Sequence, residues 1–481
     1  MHWSAITRLF GILLILYSVS FIPSLGIALL YHDGQWLVFV QSILISSLTG
    51  TVLLLRTLHV DSELSVREGF LAVTLFWAVF SLVGALPFIL GIHLDFTDAI
   101  FESVSAFTTT GATVIVGLDQ LPPSVLYHRQ QMQWIGGMGM IVLAVAILPL
   151  LGVGGMQLYK AEASGVAKHE KMTPRIAKTA RALWAIYLTL TVSCALAFWV
   201  CGMTAFDAIG HAFTTVATGG FSTHDASLGF YDSPAIEAVA GVFMLAGGVN
   251  FGMHFLAWRQ LSLAPYQHDF ETRSYARIFL YATLLVAVSL YWAGAYAAPG
   301  EALRYAAFQV ASILTSTGFV TANLAEWPLH VPLVLMLLAF VGGCAGSTAG
   351  GIKIVRIMLL VKLGLRQLYL LAHPKAVSVV KLGRRPVSEE VLFSIWGFYV
   401  LYILTSLLLC VAMMAAGLDM ESAFGAVAAT INLAGPGLGE VASNFATVND
   451  VVKWLGIFAM LAGRLEIFTL LILFMPSYWR G

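Results

Sequence analysis

The chain has 481 residues, 59% of them hydrophobic and only 10% charged; an average soluble chain is about 25% charged. With a mean hydropathy of +0.87, this composition excludes a soluble enzyme, a disordered chain and a nucleic-acid binder, and reads as a polytopic membrane protein. The 25 Lys and Arg balance the 25 Asp and Glu, so the net charge is zero and only its distribution is informative.

A bilayer-crossing helix needs roughly 20 apolar residues. Stretches near 4–30, 37–57, 69–90, 131–151, 182–201, 236–257, 277–296, 331–361, 392–416 and 451–475 meet that length. The first is too long for a signal-peptide core and reads as a true span. Unbroken apolar runs favour helices over the alternating segments of a membrane β-barrel. From residue 69 onward the spans pair across long connectors. Each connector opens with a semi-apolar segment of about 12 residues, too short to span and better read as a re-entrant half-helix.

These half-helices align without gaps as DAIFESVSAFTTTG (98–111), DAIGHAFTTVATGG (207–220), YAAFQVASILTSTG (305–318) and SAFGAVAATINLAG (422–435). Ala99, Ala208, Ala306 and Ala423 share one column; Gly111, Gly220, Gly318 and Gly435 share another. The glycines recur at roughly 100-residue intervals, an internal repeat. The expected fold class is an all-α polytopic membrane protein with two leading helices (1–67) and four span–half-helix–span repeats (68–160, 161–260, 261–375, 376–481).

Irregular backbone at membrane depth is tolerated where it lines a water-filled path or is buried in protein. Four such turns converging on one axis would offer a ring of carbonyl oxygens in place of a cation's water shell. The hydroxyls of Thr109, Thr110, Thr218, Ser316 and Thr317 would add oxygens, and oxygen-only ligands suit a hard cation. The plainer reading is that these glycines only allow close helix packing; four in register, each after a non-spanning segment, weigh against it.

Charge placement supports a cation path. The 152–181 connector carries Lys160, Lys168, Lys171, Arg175, Lys178 and Arg181, and the 362–391 connector carries Lys362, Arg366, Lys375, Lys381, Arg384 and Arg385. Positive-inside orientation puts both in the cytoplasm and the glycine turns outside. The outer face holds only Arg129, Arg304 and Lys453 against 15 acids, among them Asp95, Asp98, Glu102, Asp119, Asp207, Asp225, Asp232, Glu301, Asp419, Glu421 and Glu440. An acidic vestibule would concentrate cations; ordinary solvation of external loops is the alternative for any single acid.

The eighth span is broken by GGCAGSTAGG (342–351), whose five glycines do not sustain a helix. GIK follows in place of the GK[ST] of a phosphate loop, and no strand precedes it, so a loop at membrane depth is expected. The tenth span carries Arg464, a costly charge that faces an interior path or partner. In its column the other repeats read Gly136–Gly137, Gly247–Gly248 and Gly342–Gly343; the fourth reads Gly463–Arg464. Arg464 donating to carbonyls of the 342–351 loop would hold that loop across the path. A purely structural arrangement with Glu466 is the alternative, weakened because residues two apart on a helix do not face each other. Cys194, Cys201, Cys344 and Cys410 read as small buried hydrophobes. His211 stands where the first repeat has Glu102. No metal-ligand spacing and no nucleophile–base pair is present, so no enzyme is expected.

Together TTTGATV (108–114), ATGGFST (217–223), TSTGF (315–319), NLAGPGLGE (432–440), GCAGSTAGGIKI (343–354) and AGRLEIF (462–468) resemble the Trk/Ktr/HKT superfamily of potassium transporters over essentially the whole chain. The fourth filter segment departs from the TTG form. The resemblance implies one pore per protomer in a homodimer in the bacterial inner membrane, with both termini cytoplasmic. It implies a potassium filter of Thr109, Thr110 and Gly111; Thr218, Gly219 and Gly220; Ser316, Thr317 and Gly318; and Asn432, Leu433, Ala434 and Gly435. Potassium itself would lie at Thr110, Gly111, Gly219, Gly220, Thr317, Gly318, Ala434 and Gly435. The gate would be Gly342, Gly343, Cys344, Ala345, Gly346, Ser347, Thr348, Ala349, Gly350 and Gly351 with Arg464. Potassium would be the substrate. A nucleotide, NAD(H) or ATP/ADP, would act only through a cytosolic regulator of the TrkA type. A proton- or sodium-coupled secondary transporter is the rival reading; repeats of one sense disfavour it, because that class more often shows inverted ones.

Overall fold

The computed structural model describes residues 2–57, 65–142, 172–383 and 385–480. The end of the 131–151 span, Lys160, Lys168, Lys171 and Arg384 lie outside the described residues. Two leading helices, Trp3–Ser18 continued by Phe21–Tyr31 and then Trp36–Leu55, pack through small residues. A Cβ on Gly11 would stand 2.9 Å from the Gly50 oxygen, and one on Gly50 2.7 Å from that of Gly11. This close crossing suits helices that lack a hydrophobic driving force between them in lipid.

The four repeats follow. The outer helices are Val66–Gly84, Met172–Val200, Phe270–Trp292 and Glu389–Ala415. The half-helices are Phe96–Phe107, Ala205–Val216, Pro299–Leu314 and Met420–Ile431. The second helices begin at Pro123, Pro234, His330 and Asp450. Each half-helix starts beside an acid in its first turn: Asp98, Asp207, Glu301 and Glu421. A negative charge there complements the positive end of the helix dipole. The half-helices are encased in protein, with Ala99, Ala208, Ala306 and Ala423 essentially buried, which explains the alanine column. Among the described residues the only ladder is a two-residue hairpin, Lys381–Leu382 against Arg385–Pro386; the fold is otherwise helical.

Among the described residues, six helices are long and apolar enough to cross a membrane, or eight if each bent pair is one span. The sequence reads 236–257 and 451–475 as single spans, and in the structure each is sharply bent. The first breaks between Pro234–Gly247 and Phe251–Gln260 with a 98° bend; the second breaks between Asp450–Arg464 and Phe468–Phe474 with a 111° bend. The eighth span breaks as its glycines imply, between His330–Val341 and Ile354–Ala372. The tenth breaks with little glycine, at Glu466 and Ile467, both with φ of 53°.

The glycine column of the second helices has a packing cause. A Cβ on Gly136 or Gly463 would collide with the carbonyl oxygen of Phe107 or Ile431, the last residue of the half-helix in the same repeat. Glycine lets the second helices of repeats 1 and 4 ride directly on the ends of their half-helices.

Candidate functional site: a fourfold ring above a loop

Every half-helix ends in the same way. Thr109, Thr218, Ser316 and Leu433 adopt φ of 57°, 52°, 54° and 58°, a left-handed conformation uncommon for residues with a Cβ. The next amide then reaches back five residues. Thr110 N donates to Ser105 O at 2.9 Å, Gly219 N to Thr214 O, Thr317 N to Ser312 O and Ala434 N to Ala429 O, each at 2.8 Å. This is a Schellman-type helix end. The following glycines, Gly111, Gly220, Gly318 and Gly435, are again left-handed, at 85°, 76°, 82° and 84°. Alternating handedness turns successive carbonyls toward one side. NLAG adopts the same backbone as TTTG, so its different side chains leave the fourfold geometry intact.

The four turns close on one another. A Cβ on Gly111 would fall under 3.0 Å from the Gly219 oxygen, one on Gly220 from Thr317 O, one on Gly318 from Ala434 O, and one on Gly435 from Thr110 O. The contacts therefore run from repeat 1 to 2, 3, 4 and back to 1. Four main-chain oxygens and four glycines form one closed ring. Non-glycine residues held left-handed cost of order 1–3 kcal/mol each and persist where surrounding structure over-determines them, characteristically at functional sites.

The brace behind the ring differs by repeat. In repeats 1 and 3 two hydroxyls pair at 2.7 Å, Thr108 with Thr110 and Thr315 with Thr317. In repeat 4 the Tyr402 hydroxyl donates to Asn432 Oδ1, and Asn432 Nδ2 donates to Ala428 O at 2.9 Å. Repeat 2 has Ala217 and Gly219 in these positions and no hydroxyl pair.

A cavity of about 1220 Å³ opens above the ring; Gly111, Gly220, Gly318 and Gly435 form its floor. Of the outer acids only Asp225, Asp419 and Glu421 line it. Most of the others are spent in structure, which corrects the expectation of a broadly acidic vestibule. Asp98 pairs with Lys453 at 2.6 Å, and Arg304 reaches Asp232 at 3.4 Å and Glu237 at 2.7 Å. Asp207 accepts from Thr204 and Thr223. Asp119 pairs with His224, tying the repeat-1 loop to that of repeat 2. That hydrogen bond holds the Asp119 carboxyl below its ordinary value. The strap is therefore complete above the usual carboxylate range and is lost as the pH falls through the lowered value.

Glu102 is fully buried with Arg129. Arg129 donates to it through Nε at 2.8 Å and Nη2 at 2.6 Å. Glu102 also accepts from Thr113 Oγ1 and Val114 N, while Arg129 Nη1 donates to Ser222 O at 3.3 Å. The pair thus ties the segment leaving the repeat-1 turn to that of repeat 2. Removing one partner of such a buried pair strands the other charge, at about 3–5 kcal/mol. Arg129→Met is accordingly expected to lower the unfolding midpoint in detergent by several degrees; an unchanged midpoint would contradict this role. His211, in the Glu102 column, instead bonds Asp207 O and Ser222 Oγ, each at 2.9 Å, which is a packing role.

Beneath the ring lies the 342–351 loop. Its Gly350 N donates to Ser316 Oγ at 2.5 Å, and Thr218 Oγ1 donates to Thr348 Oγ1 at 3.1 Å. A Cβ on Gly350 would collide with Asn432 O. The loop therefore touches the inner side of three of the four turns. It is stitched to the repeat-2 bend by Cys344 N to Gly248 O at 2.9 Å and Phe251 N to Gly346 O at 3.1 Å. Glu271 Oε1 accepts from Ala345 N at 2.8 Å and Val355 N at 3.2 Å, near the loop's two ends.

Arg464 is buried against this loop. It donates to Thr348 O at 3.2 Å and to Gly136 O at 3.0 Å, and lies over the Trp77 ring. Glu466 turns the other way and pairs with Arg356 at 2.5 Å, so the Arg464–Glu466 alternative is not formed. Lys353 is buried too and donates to Ala349 O. Sequence reasoning did not find the roles of Gln133, Tyr402, Glu271 or Trp77. Gln133 alone carried a signal, as the amide in a column occupied elsewhere by Met244, Ala339 and Met460.

Among the described residues no group of three or more His, Cys, Asp or Glu could hold a metal ion. The main-chain oxygens of the ring are ligands that suit a hard cation. Comparison with known proteins agrees. The TrkH family model, described as cation transport protein, matches residues 36–480. The chain is 51% identical to the Trk system potassium uptake protein TrkH of Salmonella typhimurium, and 51% to that of Escherichia coli K12, each over the full length of both chains. It is similar to the crystal structure of the potassium transporter TrkH from Vibrio parahaemolyticus at a TM-score of 0.93 and 47% identity, covering 100% of both chains. A polytopic membrane protein with a ring of turns repeated four times, matched along nearly its whole length by this model, belongs to the TrkH family of cation transport proteins.

Proposed function

We propose that this protein admits potassium ions across the bacterial cytoplasmic membrane through the four-turn ring, acting as a channel-like filter. The observation that carries the reading is the closed ring itself: four left-handed turns whose carbonyls and glycines meet in cyclic order under a wide outer cavity. The relatives named as potassium uptake proteins supply the ion. Potassium would be coordinated at Thr110, Gly111, Gly219, Gly220, Thr317, Gly318, Ala434 and Gly435, with Thr109, Thr218, Ser316, Asn432 and Leu433 setting the turns. The membrane potential would drive entry with about 2.3 kcal/mol per ion per 100 mV.

The 342–351 loop would be the gate, with Arg464 its latch. What supports this is its contact with three turns and the Arg464 bond to Thr348. A cytosolic nucleotide-binding regulator of the TrkA type, docking on a cytoplasmic face that includes Lys362, Arg366, Lys375 and Lys381, would draw the loop aside. The protomer would work in a homodimer with both termini cytoplasmic. Purified protein in liposomes, with an imposed inside-negative potential, is expected to accumulate potassium in preference to sodium. Equal uptake of both ions would overturn the reading, and uptake abolished by collapsing a proton or sodium gradient at constant potential would favour a coupled carrier.

A further inference from the structure

We propose that Gln133 is a specificity-determining positioning residue of the ring, holding the repeat-2 turn in shape from a different repeat. This rests on the reading of the turns as a filter. Gln133 lies on the second helix of repeat 1 and is fully buried. Its Nε2 donates to Gly219 O at 2.7 Å, and its Oε1 accepts from Phe221 N at 3.1 Å. One side chain thereby clamps both peptide groups flanking Gly220. The partners also fix which end of the amide is which, since a carbonyl only accepts and a main-chain N–H only donates.

The repeats show why such a clamp is needed here. Repeats 1 and 3 hold their turns with a hydroxyl pair, and repeat 4 uses Asn432 with Tyr402. Repeat 2 has Ala217 and Gly219, so it has neither hydroxyl, and of the four turns it alone has two adjacent glycines, the residue with the widest backbone freedom. The missing side chain is also what admits Gln133. A Cβ on Gly219 would stand 2.5 Å from Gln133 Cδ and 2.5 Å from Oε1. Gly219 and Gln133 are therefore a matched pair, the amide occupying the space that threonine fills in repeats 1 and 3. The carbonyl it holds, Gly219 O, is the one packed against Gly111 in the closed ring. Discrimination between potassium and sodium depends on the number and placement of such oxygens, so a free Gly219 peptide should degrade it.

The test measures the potassium-to-sodium flux ratio in liposomes for wild type, Gln133→Met and the triple variant Gln133→Ala/Ala217→Thr/Gly219→Thr, with Gly111→Ser alongside. Gln133→Met fills the same space without hydrogen bonds. It is expected to lower the ratio about fivefold, chiefly by raising sodium flux, in protein that elutes as wild type on gel filtration. The triple variant installs the hydroxyl pair of repeats 1 and 3 and is expected to recover part of the ratio. A well-folded Gln133→Met with an unaltered ratio, or with both fluxes reduced in proportion, would overturn the assignment. The two readings fail differently. If Gly111→Ser lowers the ratio and Gln133→Met does not, only the Gln133 role falls; if neither changes it, the filter reading falls.

Discussion

Gly111→Ser is expected to lower the potassium-to-sodium flux ratio about tenfold, a loss of about 1.4 kcal/mol in discrimination. The position combines two constraints. Its φ of 85° disfavours any residue with a Cβ. The added carbon would also collide with Gly219 O, an oxygen of the neighbouring turn. Relief requires moving either the turn of repeat 1 or that carbonyl, and both moves change the oxygen spacing an ion meets. Flux of each ion in liposomes measures the effect. An unchanged ratio in a protein that elutes normally would remove Gly111 from the filter.

Arg464→Ala is expected to raise potassium flux several-fold in the absence of any regulator. The side chain bridges Thr348 O in the loop and Gly136 O in repeat 1. Its deletion frees one attachment of the loop while leaving the Glu271 and Gly248 attachments in place. Removing a buried charge and its hydrogen bonds also threatens the fold, so Arg464→Met, which retains most of the volume, serves as the second variant. A folded variant of either kind with wild-type basal flux would argue that Arg464 only fastens repeat 4 to repeat 1. Glu271→Ala gives a further expectation, since it frees both ends of the loop at once. Labelling of Cys344, buried in that loop, by a small thiol reagent should accelerate, with Glu271→Gln close to wild type. Equal labelling rates would exclude the clamp.

The repeat and its glycine register were legible in the sequence because glycine is the residue that adopts positive φ without penalty, and so leaves a mark. The second left-handed position was not. Thr109, Thr218, Ser316 and Leu433 share a conformation but no residue type that signals it. For the same reason the eighth span announced its break with five glycines, whereas the bends after Gly247 and Arg464 passed as continuous apolar runs. At Glu466 and Ile467 tertiary packing imposes positive φ on residues with side chains. The outer acids misled in a different way. Counting assigned Glu102, Asp98 and Asp232 to one face as vestibule acids, yet they are paired with Arg129, Lys453 and Arg304, which are distant in sequence. Spacing alone does not reveal such pairs. Arg464 was legible as an intramembrane charge, while Glu466 pairing with Arg356, 110 residues away, was not.

Single-channel recording of the purified protein in a planar bilayer distinguishes a potassium filter from a carrier. With high potassium and low sodium on one side and the reverse on the other, discrete unitary currents that reverse close to the potassium equilibrium potential are expected. In Arg464→Ala these openings should be more frequent at unchanged unitary size. Transport that proceeds only at carrier turnover rates, without resolvable openings, or currents that reverse near zero under the same gradient, would contradict a potassium filter at the four-turn ring.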